Sequence, residues 1–366
     1  MSNRTRRLPS ARKPTITDVA QAAGVSPATV SNALNGRRYV DATTRETVKA
    51  AACRLGYTPN LRAQRLRTGQ ADTIALLSSM PFAVAAGPSR LGFLMEIAAV
   101  AAASAIENGL ALVLVPPLET SRPATVLDRL GVDGALVLEP LADDPDVAHL
   151  RGRGVPVVTI GRQAGRAGIA LPHVDLRSAA TARLLLDHLR GQGCRHVALL
   201  IGAQARNSYQ ETETAYEAFA RAHGMAPLVR RLDERGGEEN ARLETRRLLA
   251  EHPGIDAICA PVDAFAVGAV RAIQESGRRV PEDVCVATRY DGLRARHCTP
   301  PLTAVDLHLE EIASLAVTLM LEQIEGRPPR SCLGPQPDLL PRQSSLRRPI
   351  PEMSPILNAT REATDG

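Results

Sequence analysis

Apolar positions fall at helical spacing in the first part of the chain and in short strand-like runs over the rest. Ile16, Val19, Ala20 and Ala23 make one helical stripe. Thr15 stands where a cap belongs, with Asp18 three residues on in the capping-box position, and Gly24 supplies the permissive backbone that ends the helix. Ser26 is then an N-cap, and Pro27 occupies a first helical position, where a missing N–H costs nothing. Val30, Ala33 and Leu34 face back toward the first helix, which leaves Pro27, Ala28, Thr29, Ser31 and Asn32 outward. Small and hydrogen-bonding residues on an outward helix face suit close approach to base edges and phosphates. The spacing therefore predicts a helix-turn-helix. A third helix follows, capped by Asp41, with Glu46 in its early part, a stripe of Val48, Ala51, Ala52 and Leu55, and a stop at Gly56 and Pro59.

From residue 72 the pattern changes to alternating strands and helices. Strands are expected at Thr73–Ser78, Leu110–Val115, Gly134–Leu138, Val155–Ile160, His196–Ile201, Ile255–Ala260 and Val284–Ala287. Helices are expected at Leu94–Glu107, ended by Asn108-Gly109, and at Ala179–Leu189, Thr214–Ala222 and Glu239–Ala250. Such an alternation predicts parallel sheets with helices on both faces. A unit of about 280 residues is large for one sheet and fits two similar lobes, whose ligands bind beyond the carboxyl ends of strands. The expected fold is a small all-α helix-turn-helix head followed by a two-lobed α/β domain with parallel sheets. The expected divisions are 1–13, a disordered basic arm; 14–59, the DNA-binding head; 60–70, a linker; 71–350, the two-lobed domain; and 351–366, a loose tail.

Charge sharpens this division. Residues 1–70 hold 13 Lys+Arg against 3 Asp+Glu, a formal +10, whereas the whole chain is +5 and the remainder therefore −5. A basic head on an acidic body implies a polyanion partner for the head alone. The chain is 44% hydrophobic, enough for a sizeable core. It shows no apolar run of membrane-spanning length and no signal-peptide h-region, so cytoplasmic, nucleoid-associated residence with no membrane partner is expected. The six cysteines are scattered without C-x-x-C pairs; Cys194, Cys259 and Cys285 read as small buried hydrophobes, and no metal or cofactor is expected. No G-x-S-x-G, Walker-type or H-E-x-x-H arrangement occurs, so the chain is not expected to be an enzyme; His173, His188 and His308 read as surface or satisfied structural residues.

The head resembles the lac-repressor-type (LacI/GalR) transcription regulators. The matching residues are the helix-turn-helix, then Thr44-Arg45-Glu46-Thr47-Val48, Leu55-Gly56-Tyr57-x-Pro59-Asn60 and Ala63-Gln64-x-Leu66. The body resembles their periplasmic-binding-protein-like effector domain. It matches at Gly131–Val137, His173-Val-Asp175, Asp263–Ala269, Tyr290-Asp291-Gly292 and Pro300–Val305. The resemblance implies a homodimer reading double-stranded, pseudo-palindromic operator DNA. It places Pro27, Ala28 and Asn32 at bases with Tyr39 nearby, and Thr15, Ser26, Thr29, Ser31 and Asn35 at phosphates. Pro27 and Ala28 have no side-chain donors and read only shape and a thymine methyl. Many relatives carry Arg where this chain has Asn32; Asn pairs best with adenine and Arg with guanine, so a different base preference is expected there.

The segment Asn60 to Thr68 resembles the family's hinge helix. There Leu66 would wedge into the minor groove, Ala63 allow close approach, and Asn60 and Gln64 hydrogen-bond. Alone, so short a segment does not nucleate a helix, so folding on DNA is the implied switch, set by an effector between the lobes. Asp291 matches a carboxylate that accepts hydrogen bonds from sugar hydroxyls; capping the turn before Gly292 is its alternative role. Phe82, Phe93, Phe265 and Tyr290 are aromatic faces for a ligand, with core packing as the alternative, and Arg90 and Asp263 complete the expected effector set. Two departures thin the pocket: Val262 replaces a usual Asn before Asp263, and Thr212 stands where an Arg is frequent. A sugar, a less polar metabolite, or no ligand remains open. The expected function is an effector-controlled repressor. The alternatives are an activator, or a solute-binding receptor of the same two-lobed fold, which the basic head and missing signal peptide oppose.

Overall fold

The computed structural model describes residues 14–34, 40–57, 70–85, 92–117, 123–163 and 171–347. Asn35, Tyr39, the hinge residues Asn60, Ala63, Gln64 and Leu66, and Arg90 lie outside the described residues, as do the arm and the tail. The chain divides into two compact units, Met1–Gln70 and Ala71–Gly366.

The first unit contains α1 (Ile16–Ala23), α2 (Pro27–Leu34) and α3 (Ala42–Leu55). Thr15 and Asp18 form the expected capping box, and Gly24 ends α1 in the left-handed conformation at φ 67°. Asp41 caps α3 by accepting from the Thr44 N–H at 2.8 Å, and that bond lowers the pKa of its carboxyl. Val19, Val30 and Val48 are fully buried where the helices meet, and Ala20, Ala33, Ala51 and Ala52 let them approach closely. Each valine contributes about 1.5–3 kcal/mol by leaving water. Leu55, expected in the stripe, is instead exposed at 36%. It is the last residue of α3, and Tyr57, folding back past the left-handed Gly56, packs against the core in its stead.

The second unit holds two parallel sheets. The first is built from β1 (Thr73–Ser78), β2 (Ala111–Val115), β3 (Gly134–Leu138), β4 (Val157–Ile160), β5 (His173–Asp175) and β11 (Cys332–Leu333), in the order β11-β5-β4-β3-β1-β2. β1 pairs in register with both β2 and β3, Ile74 lying opposite Leu112 and Gly134. The second is built from β6 (Val197–Gly202), β7 (Val229–Leu232), β8 (Ala257–Cys259) and β9 (Cys285–Ala287), in the order β7-β6-β8-β9. A small antiparallel pair, β10 (Ala304–Asp306) and β12 (Asp338–Leu340), completes the set. The runs Ile74–Leu77, Ala135–Leu138 and Val197–Ile201 are essentially inaccessible, as strands covered on both faces must be.

The strands absent from the sequence reading, β5, β7, β10, β11 and β12, are short, and β7 (Val-Arg-Arg-Leu) is an edge strand with one buried face, so none carries a continuous apolar run. The helix expected from Thr214 begins at Asn207, because its polar first half, including Ser208, Tyr209 and Thr212, is buried against other polar groups. In each sheet the first strand lies between its second and third, so connections leave in opposite directions on either side of it. This reversal opens a crevice at the carboxyl ends of β1 and β3 in one lobe and of β6 and β8 in the other.

Candidate functional site

In the head, the outward face of α2 carries the residues expected at DNA. Pro27 and Ala28 are exposed, and Thr29, Ser31 and Asn32 are half-buried. Ser26 Oγ accepts from the Thr29 N–H at 3.1 Å and lies 2.9 Å from Thr29 Oγ1. Thr15 donates both its N–H and its hydroxyl to Asp18 at 2.7 Å. These hydroxyls thus fix the helix starts, and each keeps lone-pair or donor capacity for a phosphate. The first turn of α2 has no acidic residue to compete for an anion at its positive end.

In the second unit, charged side chains converge on both crevices. Glu139 directly follows β3 with a left-handed backbone (φ 49°), a conformation that costs a non-glycine residue about 1–2 kcal/mol. That turn aims its carboxylate across the lobes, where it accepts from Arg289 Nη2 at 2.7 Å and from Ser208 Oγ at 2.6 Å. Arg206, 1% exposed, lies against Glu234 with contacts of 3.2 and 3.1 Å and donates to the carbonyls of Glu139 and, at 2.8 Å, Ser79. Tyr209 donates to Glu234 at 2.6 Å. Gly202, at the end of β6, makes room for this cluster, since a Cβ there would collide with the Tyr209 ring and the Glu234 carboxylate. Burial opposes the Arg206 charge, but Glu234 outweighs it and raises the guanidinium pKa; burial and then Glu234 push the Tyr209 phenol well above its usual range. The guanidinium of Arg289 lies 5.7 Å from the centre of the Phe93 ring, which meets Tyr290 edge-on at 5.2 Å. Nearby, Arg294 joins the lobes again, donating to the Ala83 carbonyl at 2.6 Å and to Asp263 at 3.0 Å.

The expected effector residues separate into three groups. Tyr290 and Asp291 line a cavity of about 770 Å³. Asp291 does not cap the turn; its carboxylate is held by Arg342 at 2.6 Å and Arg296 at 3.0 Å, which together outweigh burial and lower its pKa. Phe82 is 38% exposed on the short helix Phe82–Ala85, near the Arg294 crossing. Phe265 is corrected: it is fully buried in the core beneath β8 and β9 and offers no face to a ligand. Phe93 is likewise only 6% exposed and committed to Arg289 and Tyr290. Asp263 is buried and tied to Arg294, and burial raises its pKa despite that partner.

Thr212 is buried, and Arg206 and Arg289, which sequence reading missed, bring guanidinium groups to the strand ends, where Glu234 and Glu139 hold them. Their signal was available: both, like Glu139, stand just after apolar strands, where parallel sheets present ligand groups. His188, His173 and His308 are satisfied by Ser345, Ser331 and Asp338, and Cys194, Cys259 and Cys285 are buried. Among the described residues no helix is long and apolar enough to cross a membrane.

A helix-turn-helix head and a body of two parallel α/β lobes define a DNA-binding regulator with an effector-binding domain. Residues 15–60 match the bacterial regulatory proteins of the lacI family, and residues 186–345 match the periplasmic binding protein-like domain. The chain is 34% identical over 341 residues to the HTH-type transcriptional regulator CelR of Thermobifida fusca, covering 86% of this chain and 93% of that one. It is 30% identical over 326 residues to the lactose operon repressor of Escherichia coli (strain K12), covering 86% and 85%. Among solved structures it is similar to a CelR–cellobiose complex, at 30% identity and a TM-score of 0.66 over 90% of this chain and 99% of that one. The Lac repressor dimer bound to operator and the anti-inducer ONPF superposes with a TM-score of 0.74, at 27% identity over 92% and 100%. The chain belongs to the LacI family of bacterial regulatory proteins. These relatives are regulators of transcription, not enzymes.

Proposed function

We propose that this protein is a repressor that binds a pseudo-palindromic operator as a homodimer, and that a small molecule held between its lobes sets operator affinity. The observation that carries this reading is the coexistence of an exposed, small-residue face on α2 with two lobes whose strand-end crevices are bridged by Glu139, Arg206 and Arg289. Interactions that tie the lobes together are ones an effector can rearrange, and only such a differential contact shifts a conformational equilibrium. A homodimer follows from the operator's expected symmetry, since one small head makes too few base contacts for high specificity. The operator-bound Lac repressor dimer and the cellobiose complex of CelR support DNA, a twofold assembly and a sugar-like effector as partners.

Pro27, Ala28 and Asn32, with Tyr39, are assigned to the major groove, and Thr15, Ser26, Thr29, Ser31 and Asn35 to phosphates. Asn60, Ala63, Gln64 and Leu66 are assigned to the minor groove. Tyr290 and Asp291 are assigned to the effector, and Phe82, Arg90 and Asp263 are further candidates for contacts with it.

The hinge assignment is tested by Leu66→Ala. Loss of the wedge weakens operator binding at least tenfold, about 1.4 kcal/mol, while binding to unrelated duplex changes little. Equal loss on both duplexes, measured by fluorescence anisotropy, contradicts the wedge.

A further inference from the structure

We infer that this chain latches its own lobes shut through the Glu139–Arg289 pair, so that closure needs no bridging molecule and an effector acts by breaking the latch. The inference rests on the effector reading above and deepens it, by naming the contact that an effector must displace.

The contacts across the cleft have one polarity. Arg206, Ser208, Arg289 and Arg294 belong to the second lobe, and each donates to the first. Their acceptors are the carbonyls of Ser79, Ala83, Val84 and Glu139 and the Glu139 carboxylate. The backbone joins the same seam: Leu141 and Arg206 form an antiparallel bridge, and the Ala142 N–H donates to the Ala205 carbonyl at 2.8 Å. A wall of donors facing a wall of acceptors satisfies itself when it closes.

Within that seam Glu139 and Arg289 are the exchangeable part. Arg206 is paired with Glu234 and Arg294 with Asp263 inside their own lobe, so each keeps an ion partner when the lobes part. Glu139 and Arg289 are 2% and 8% exposed, and among the described residues each has its salt bridge with the other alone. Two features keep this pair from being a permanent weld. Glu139 faces Arg289 from a left-handed backbone (φ 49°), a costly conformation for a residue with a Cβ. The Arg289 Nε–H is buried without a hydrogen-bond acceptor, with only the Phe93 ring of the first lobe beside its guanidinium, 5.7 Å from the ring centre. The closed arrangement thus leaves one donor and one backbone turn to be relieved on opening, the balance that a switchable contact requires.

Hydrogen–deuterium exchange of the full-length protein, dialysed free of small molecules, tests this at the Ala142 amide, whose acceptor lies in the other lobe. In the parent Ala142 is protected. In Glu139→Gln and in Arg289→Met it exchanges about tenfold faster or more, while the amides of β1 and β6 keep the parent's protection. The double variant falls well short of the product of the two single effects, as two groups acting through one contact must. An unprotected Ala142 in the parent overturns the latch. So do unchanged rates in both single variants, a loss of protection that spreads to β1 and β6, or single effects that simply multiply. Each single variant also shifts operator affinity about fivefold or more with no small molecule added. Faster exchange at Ala142 with operator affinity unchanged leaves the latch standing and defeats the effector reading instead.

Discussion

Arg206→Ala lowers the unfolding free energy of the two-lobed unit by about 3–5 kcal/mol, read as a depressed calorimetric midpoint. The size follows from what remains behind. Glu234 is 0% exposed, and both its oxygens are occupied by Arg206 and Tyr209. Without the guanidinium it is a buried charge with only a phenol for company. The carbonyls of Ser79 and Glu139 lose a donor at the same time. Replacing both partners, Arg206→Met with Glu234→Leu, recovers most of the loss, because breaking one half of a buried pair is far worse than removing both. If the single variant is as stable as the parent, the cluster does not hold the lobes as described. If the double variant is no better than the single one, the cost lies in the carbonyl contacts rather than in the ion pair.

Operator affinity falls by about a thousandfold or more between 50 and 200 mM salt, the loss seen when several phosphates are neutralised by Lys and Arg. The expectation comes from the segregation of charge, 13 basic against 3 acidic residues in positions 1–70, doubled in a twofold complex. A slope of log affinity against log salt near zero contradicts the electrostatic role of the head.

The three helices described in the head were legible because their signals are local. A cap, a left-handed glycine and a stripe of small apolar residues each act within a few positions, and Thr15, Gly24 and Val30 do what their neighbours dictate. Leu55 was misread because burial at a helix end depends on what lies beyond it, here Tyr57.

The strand runs of the body were legible for the same local reason, but the cleft was not. Glu139, Ser208, Glu234 and Arg289 are far apart in sequence and ordinary one by one; only the strand order brings them together. Phe265 shows the converse. Its aromatic ring pointed to a ligand face, yet the helix carrying it is buried nearly all round. Tyr290 and Asp291 were recognisable because Tyr290-Asp291-Gly292 resembles a loop of the family's effector domain. That Asp291 is held by Arg296, five residues on, and by the distant Arg342 was not recognisable.

The account turns on the claim that two heads read a symmetric operator with Asn32 at a base edge. Repeated selection of duplexes bound by the full-length protein from a random-sequence pool tests it most directly. The account predicts enrichment of one twofold-symmetric site with adenine favoured at the base pair facing Asn32. Enriched sequences without twofold symmetry, or no enrichment at all, would contradict it.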